Sequence, residues 1–295
     1  MDIKSYLTAK RTLVEEALNS ILPESDERLT THFEALNYSL RAGGKRIRPI
    51  LCMAAAEALG GSVASFMDIP CALECIHTYS LIHDDLPAMD DDELRRGKPT
   101  NHMVYGEAEA ILAGDGLLTL AFELLSRDNA ALLSADVQLK ITNLIARAAG
   151  STGMVGGQAL DIESEDKEIP FSTLRLIHSC KTGALITASV QSGALLGGAG
   201  EGEFLAMTSY GRNIGLAFQI VDDLLNVLGT TEQLGKAAGS DAEHNKATYP
   251  AIFGLEATRE KAGEAVAAAL EALRHFDHKA DPLRALAEYI YTRSN

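Results

Sequence analysis

The sequence predicts an all-α fold, a single-domain antiparallel helix bundle, on three observations. Apolar residues recur at intervals of three and four, as in Leu132, Leu133, Val137, Ile141, Leu144 and Ile145, and no run alternates in strand fashion. Seven of the eight prolines (Pro23, Pro49, Pro70, Pro99, Pro170, Pro250, Pro282) fall at gaps in that pattern, several just after a capping residue, as in Asp281-Pro282. No internal repeat recurs and no Pro/Ser-rich or charged linker divides residues 1–295, which argues for one bundle over a solenoid or a two-domain chain.

The spacing predicts about ten helices, over residues 2–20, 25–42, 46–59, 67–86, 107–126, 134–148, 171–197, 202–228, 247–273 with a break near 254, and 282–292. Hydrophobic residues make up 46% of the chain, enough for a large core. A net charge of −15 argues against nucleic acid and anionic membrane as general partners. Cys52, Cys71, Cys75 and Cys180 lie in apolar helical contexts without a C-x-x-C, which reads as buried free thiols of a reducing cytosol. No basic stretch followed by an apolar run opens the chain, so no signal peptide is expected, and the expected location is cytoplasmic. Residues 182–200 carry no charge but hold five glycines, which reads as a close-packed buried helix and not a membrane span.

The first functional signal lies between the second and third helices, where Arg41, Lys45, Arg46 and Arg48 crowd around Gly43 and Gly44. The glycines let backbone approach a ligand, and Pro49 suits the first turn of the next helix, whose N-terminus favours an anion. A phosphate or diphosphate seat is the natural reading; a solvated basic loop is the alternative. The fourth helix ends in D-D-L-P-A-M-D-D-D-E-L-R-R, where six of the ten residues 84–93 are acidic. Leu73, Ile76, Leu81 and Ile82 make that helix buried, and uncompensated carboxylates at its end are costly, so a cation belongs among them. Oxygen ligands without Cys or His at metal spacing suit Mg²⁺ before Zn²⁺, and Mg²⁺ binds through one or two carboxylates plus substrate phosphates. An exposed acidic loop is the plain alternative.

His77 precedes Asp84 by two helical turns on one face and could reach a phosphate, although a lone helical histidine is more often a core residue. The glycine cluster ending at Gln158 reads as a broken or closely packed helix, with Asp161 on the same run. Lys181-Thr182 bring a lysine to the edge of the uncharged segment, which a ligand anion or snorkelling to the surface explains equally. Gln219, Asp222, Asp223 and Asn226 span an arc of about 100° on an apolar helix. Facing Asp84 and Asp85 across the bundle, they would complete an oxygen-lined cage for several Mg²⁺ ions. Residues 229–249, with Lys236 and Lys246, have the composition of a lid over an anionic substrate.

Two aspartate stripes, an Arg-Arg pair, a Lys/Arg seat and a helical core together describe a site for two diphosphates beside an apolar tunnel. The motifs G-G-K-R-I-R-P, D-D-L-P-A-M-D-D-D-E-L-R-R-G, K-T, F-Q-I-V-D-D and G-K-A-A-G-S-D, in this order between about residues 40 and 250, resemble those of the trans-isoprenyl diphosphate synthases. The resemblance implies the isoprenoid synthase bundle with a deep central cavity, a homodimer, and two or three Mg²⁺ per active site. It implies that Lys45, Arg48, His77 and Arg96 hold isopentenyl diphosphate. Asp84, Asp90 and Asp222 would hold the allylic diphosphate through Mg²⁺, with Asp85 beside them in the cage; Arg95, Lys181, Thr182, Gln219 and Lys236 would contact it directly. Catalytic work then falls to Asp84, Asp90, Arg95, Lys181, Asp222 and Lys236. Asn226 stands where the family usually has a third aspartate, so its expected role is weaker or water-mediated.

The implied reaction is head-to-tail (1′-4) condensation of isopentenyl diphosphate with an allylic diphosphate after Mg²⁺-assisted ionisation. Tyr79, five residues before the first aspartate, together with the insertion that includes Pro87, resembles the bacterial farnesyl type. Helix geometry puts Ser80, not Tyr79, one turn below Asp84, so both are candidates for setting chain length. A geranylgeranyl synthase of the same family stays open. A class I terpene cyclase needs aromatic faces, against no Trp, 5% aromatics and Thr230 where a cyclase would carry a Glu ligand. A metal phosphohydrolase using His77, His83, Asp84 and Asp222 leaves Arg95, Arg96 and Lys45 unexplained, and a non-catalytic ion-binding helical protein predicts no product.

Overall fold

The computed structural model describes residues 1–22, 26–62, 66–128, 133–228 and 247–292. Helix α1 (Ile3–Ile21) starts where the Asp2 carboxylate accepts the Lys4 N–H, and α2 (Thr30–Leu40) follows a short 3₁₀ turn at Glu27–Leu29. Helices α3 (Ile47–Ala58) and α4 (Asp68–Asp84) carry the basic and acidic motifs at opposite ends, α3 at its N-terminus and α4 at its C-terminus. After a two-stranded hairpin come α5 (Asn101–Tyr105), α6 (Glu107–Ser126), α7 (Ala135–Ala149) and α8 (Met154–Glu163). Helix α9 (Phe171–Ile177) runs through a π-helical turn (His178–Gly183) into α10 (Ala184–Leu196), and α11 (Glu201–Leu228) carries the second aspartate motif. Helices α12 (Tyr249–Phe253), α13 (Leu255–Ala272) and α14 (Asp281–Thr292) complete the chain, the break falling at Gly254, whose φ of 77° ends one helix and starts the next.

Helix α4 packs along α6, α3 along α10, and α11 against both α10 and α13. Burial follows the helical stripes: Leu73, Ile76 and Ile82 of α4 with Leu117 and Leu124 of α6 form one apolar cluster, and Ile50 and Leu51 of α3 with Tyr210, Ile214 and Val221 of α11 form the other. The contact of α3 with α10 is nearly backbone to backbone, since a Cβ at Gly193 would lie 2.0 Å from the Cys52 carbonyl oxygen. No described helix is long and apolar enough to cross a membrane.

Four expectations need correction. The sequence predicts no strand anywhere, yet residues 94–99 form a hairpin of β1 (Leu94–Arg95) and β2 (Lys98–Pro99), paired Leu94 to Pro99 and Arg95 to Lys98; strands this short show no alternation to detect. The ten expected helices include none at 154–163, yet α8 runs there: of the two readings of the glycine cluster, a broken or a closely packed helix, the second holds, since Gly156 and Gly157 permit close backbone packing. The single helix expected over 171–197 is divided by the π turn. Cys180 lies on that turn, half-buried, while Cys52, Cys71 and Cys75 are buried free thiols as read.

Candidate active site

Asp84 is the last residue of α4, and the chain then folds back on itself. The Asp90 N–H donates to the Asp84 carbonyl at 2.8 Å, and the Asp91 N–H to the Leu86 carbonyl at 3.1 Å with Asp91 at φ 51°, which sets the second acidic group beside the first. Asp85 is 3% exposed, and its carboxylate is taken by Arg95, whose Nε donates at 2.6 Å while Nη2 also reaches Asp92 at 3.3 Å. Asp84 differs: among the described residues its carboxylate has no hydrogen bond or ion pair, and burial pushes it up to about 6, with Asp90 adding to the rise and Lys181 opposing it. A buried carboxylate in this state favours a cation. Among the described residues no three acidic, His or Cys groups converge as a ready-made metal cluster.

The hairpin sets out the two arginines. Arg96 and Gly97 form its two-residue turn with φ of 54° and 74°, the paired positive values of a type I′ hairpin. Arg95 therefore points back to the acidic group, while the Arg96 guanidinium donates to the Gly43 carbonyl. Gly44, at φ 140°, holds a backbone conformation that favours glycine, and a Cβ there would lie 2.7 Å from Arg96 Nη1, so the guanidinium would have to shift. Of the neighbouring cations, Lys45 is exposed and Arg46 turns inward at 2% exposure. Arg46 donates to Glu15 at 2.7 Å, to Glu74 at 2.6 Å and to the Leu40 carbonyl at 2.6 Å, so it braces α1, α3 and α4 and is not part of the anion seat. Arg48 faces the cavity with an unpartnered Nε and is drawn down to about 10, by burial first and then by Arg96, against the pull of Glu74 and Asp222. Burial and then Arg48, Arg96 and Arg95 hold His77 well below its usual value, so it is neutral. Crowded cations with an unmet donor are chemistry that suits an anion.

A cavity of 430 Å³ opens between α4, α8 and the π turn, with Asp84, Lys181, Thr182, His77 and Arg48 on its polar side. Tyr79 and Ser80 both line it. Tyr79 is 5% exposed and stands edge-on to His83 at 5.7 Å between ring centres; the Ser80 hydroxyl donates to the His77 carbonyl at 2.9 Å. Opposite, Lys181 Nζ donates to Asp161 at 2.7 Å, and a Cβ at Gly157 would lie 2.2 Å from the Lys181 backbone nitrogen, so α8 is pressed against the π turn. Gln158, beside that glycine, is 8% exposed and lines the cavity, with neither amide atom hydrogen-bonded. Leaving a buried amide unpaired costs about 1–3 kcal/mol.

On α11 the expected stripe of four polar groups is divided. Asp223, 6% exposed, accepts the Tyr249 N–H at 2.9 Å and lies 3.8 Å from His178 Nε2, while His178 stacks on the Tyr249 ring at 5.6 Å. Asp223 therefore holds the start of α12. Asp222 is half-buried and close enough to act on the charge of Arg48; Gln219 is half-buried and Asn226 is 6% exposed. Lys236 and the lid expected around it lie outside the described residues.

The polyprenyl synthetase family model matches residues 30–289. The chain belongs to this family. It is a prenyltransferase, and its relatives cover its whole length. A geranylgeranyl diphosphate synthase from Cyanophora paradoxa is 48% identical, covering 100% of this chain and 97% of its own. A farnesyl diphosphate synthase from Geobacillus stearothermophilus is 45% identical over 100% and 99%. Among solved structures, an FPP/GFPP synthase from Zymomonas mobilis superposes with a TM-score of 0.87 at 36% identity, covering 98% of this chain and 99% of its own.

Three residues of this polyprenyl synthetase that matter to the site had weak or no signal in the sequence. Asp161 and Gln158 were visible only as polar residues next to Gly156-Gly157; the glycines mark close backbone packing, and that was the available clue to their place. His178 had none, because a histidine three residues before Lys181 reads like any other helical position.

Proposed function

We propose that this prenyltransferase condenses isopentenyl diphosphate head-to-tail with dimethylallyl and then geranyl diphosphate to give farnesyl diphosphate. Tyr79 carries the choice of product: a buried phenol on α4, below Asp84, lines the cavity into which the growing tail must extend. Overpacking a formed core costs about 1–3 kcal/mol, enough to make another five-carbon addition uncompetitive. The second reading, a geranylgeranyl product, is supported by the 48% identity to the relative from Cyanophora paradoxa.

Asp84, Asp90 and Asp222 would hold Mg²⁺, which supplies charge to draw the diphosphate from the allylic carbon. Asp85 is a weaker candidate as ligand, since Arg95 already occupies its carboxylate. Arg95, Lys181, Thr182 and Gln219, with Lys236, would contact the allylic diphosphate. Lys45, Arg48 and Arg96 would hold isopentenyl diphosphate, and neutral His77 can give it one N–H. The allylic C1–O bond breaks with its electron pair leaving on diphosphate. The isopentenyl double bond then forms the new C–C bond to C1, and a proton passes to the departing diphosphate as the new double bond closes. Helix α8 and the apolar wall keep water from the cation. The same reading takes the chain as one domain, a cytoplasmic homodimer, which molecular mass in solution checks for assembly.

The test is to size the products formed from labelled isopentenyl diphosphate with each allylic diphosphate and Mg²⁺. C15 is expected from the wild type, and Tyr79→Ala should move the main product to C20 or longer. A wild type that makes C20, or a Tyr79→Ala variant that still stops at C15, overturns the farnesyl reading.

A further inference from the structure

Arg46 and Glu74 are buried opposite charges that the reaction as read above does not use. The Arg46 guanidinium is fully buried and Glu74 is 1% exposed, and Arg46 Nη1 donates to Glu74 Oε1 at 2.6 Å. Taking two charges out of water is costly, and an apolar pair of similar volume often holds two helices together as well, so this pair calls for a purpose beyond stability. The backbone is strained at the same residue. Arg46 stands at φ 50° and ψ 35°, a left-handed conformation that a long side chain rarely adopts and that persists only where its surroundings impose it.

Those surroundings are the bonds of one guanidinium. Nη2 donates to the Leu40 carbonyl at 2.6 Å, Nε to Glu15 at 2.7 Å and Nη1 to Glu74, so all three nitrogens are engaged. The bond to Leu40 closes the loop 41–45, which bears Lys45 and receives Arg96 at the Gly43 carbonyl. The bond to Glu74 fastens the start of α3, with Arg48 in its first turn, to α4 one turn before His77. Lys45, Arg48, His77 and Arg96 come from four separate stretches of chain, and each stretch is tied to Arg46 directly or through one neighbour. Glu74 is also the acid that acts most strongly on the charges of Arg48 and Arg96, which puts the pair directly behind them. A planar fork holds three directions at once, as the point charge of a lysine does not. We propose that the Arg46–Glu74 pair positions the isopentenyl diphosphate seat: it does not touch the substrate, but it sets the spacing of the four groups that do. This rests on the prenyl-transfer reading and on the seat assigned within it.

The test uses the double variant Arg46→Met with Glu74→Met. Removing Arg46 alone would strand a buried carboxylate, whereas removing both takes away one charge of each sign and leaves two apolar side chains that can pack together. Steady-state kinetics with isopentenyl and dimethylallyl diphosphates and thermal melting are measured for the double variant, for Arg46→Lys and for the wild type. The double variant should melt within a few degrees of the wild type. It should raise the KM for isopentenyl diphosphate by about 10- to 100-fold and leave the allylic KM and kcat within about threefold, the pattern of lost uniform binding at one seat. Arg46→Lys keeps a charge beside Glu74, and with it the fold, but gives up part of the fork, and should raise the same KM by about 3- to 10-fold. Should the double variant melt far lower, Arg46→Lys alone decides. A wild-type KM for isopentenyl diphosphate in Arg46→Lys or in a folded double variant, an equal rise in the allylic KM, or a loss confined to kcat each overturns the positioning role and leaves the pair as a structural tie. A wild-type protein that condenses nothing overturns the prenyl-transfer reading itself, and this role with it.

Discussion

The two adjacent aspartate pairs, Asp84-Asp85 and Asp222-Asp223, divide their labour in the same order but with different partners. In each, the second residue is the deeper one, 3% exposed for Asp85 and 6% for Asp223, and each accepts a hydrogen bond from elsewhere in the fold. Asp85 is held by a guanidinium on a two-residue turn, a partner that can exchange a carboxylate for a phosphate. Asp223 is held by a backbone N–H at the first residue of α12, and that bond cannot be released without opening the helix start. A doubled aspartate therefore need not mean two metal ligands: one of each pair fastens the site, and the first fastening is exchangeable while the second is permanent.

The largest expected effect separates the two members of each pair. Asp84→Ala and Asp222→Ala should each lower kcat by about 10³-fold or more with the fold intact by circular dichroism. Near-normal turnover at saturating Mg²⁺ in either would remove it from the metal site. Asp223→Ala should instead lower stability by about 2 kcal/mol in urea unfolding, because it orphans the buried Tyr249 N–H. Asp85→Ala should cost less, about 1 kcal/mol, since Arg95 keeps Asp92, and should weaken the allylic substrate. Equal stability losses in the two variants would erase the distinction between the fastenings.

A smaller effect follows from the Asp84 carboxyl. Burial first and Asp90 next lift it to about 6, above the value near 3.9 of an unfolded chain. The folded state thus binds the proton more tightly, and this group lowers stability as pH rises from about 4 to about 6, with the full penalty present above that range. Asp84→Asn should therefore stabilise the metal-free protein by about 2 kcal/mol at pH 7.5, a gain that fades as pH falls through 6 towards 4. A melting difference independent of pH would show that the carboxyl is not perturbed. The smallest shift concerns magnesium: alone it should raise the melting temperature by less than about 1 °C, and together with inorganic diphosphate by several degrees. A large shift with Mg²⁺ alone would mean that the carboxylates form a complete site unaided.

Much of this was legible in the sequence because the relevant signals are periodic or concentrated. Spacing and proline positions outlined most of the helices, and charge density marked residues 84–96 and the Lys45-Arg48 region. Direction was not legible. Arg46 and Arg48 look equivalent in sequence, yet Arg46 adopts φ 50° and buries its guanidinium while Arg48 faces the cavity. Asp222 and Asp223 lie about 100° apart on one helix, and only the packing of Tyr249 decides which of them is committed. Helix α8 was legible only as one of two alternatives, because its glycines, local signs of a break, also serve as sites of close approach, here of Gly157 to Lys181.

The π-helical turn at His178–Gly183 also bears on how this gene can change. A π turn winds one residue more than an α turn, so the helix before it and the helix after it differ in phase. Both sides are committed to the interior, Leu174 and Ile177 ahead of the turn and Leu185, Ser189 and Gly193 behind it, with Gly193 pressed on Cys52. Deleting one residue inside the turn would restore regular winding and leave both faces in place, whereas deleting one in either flanking helix would rotate everything behind it by about 100°. The turn is therefore the one place in this run where the count of residues can change by one; on either side of it, an in-frame loss of a single codon would act as a frameshift in three dimensions.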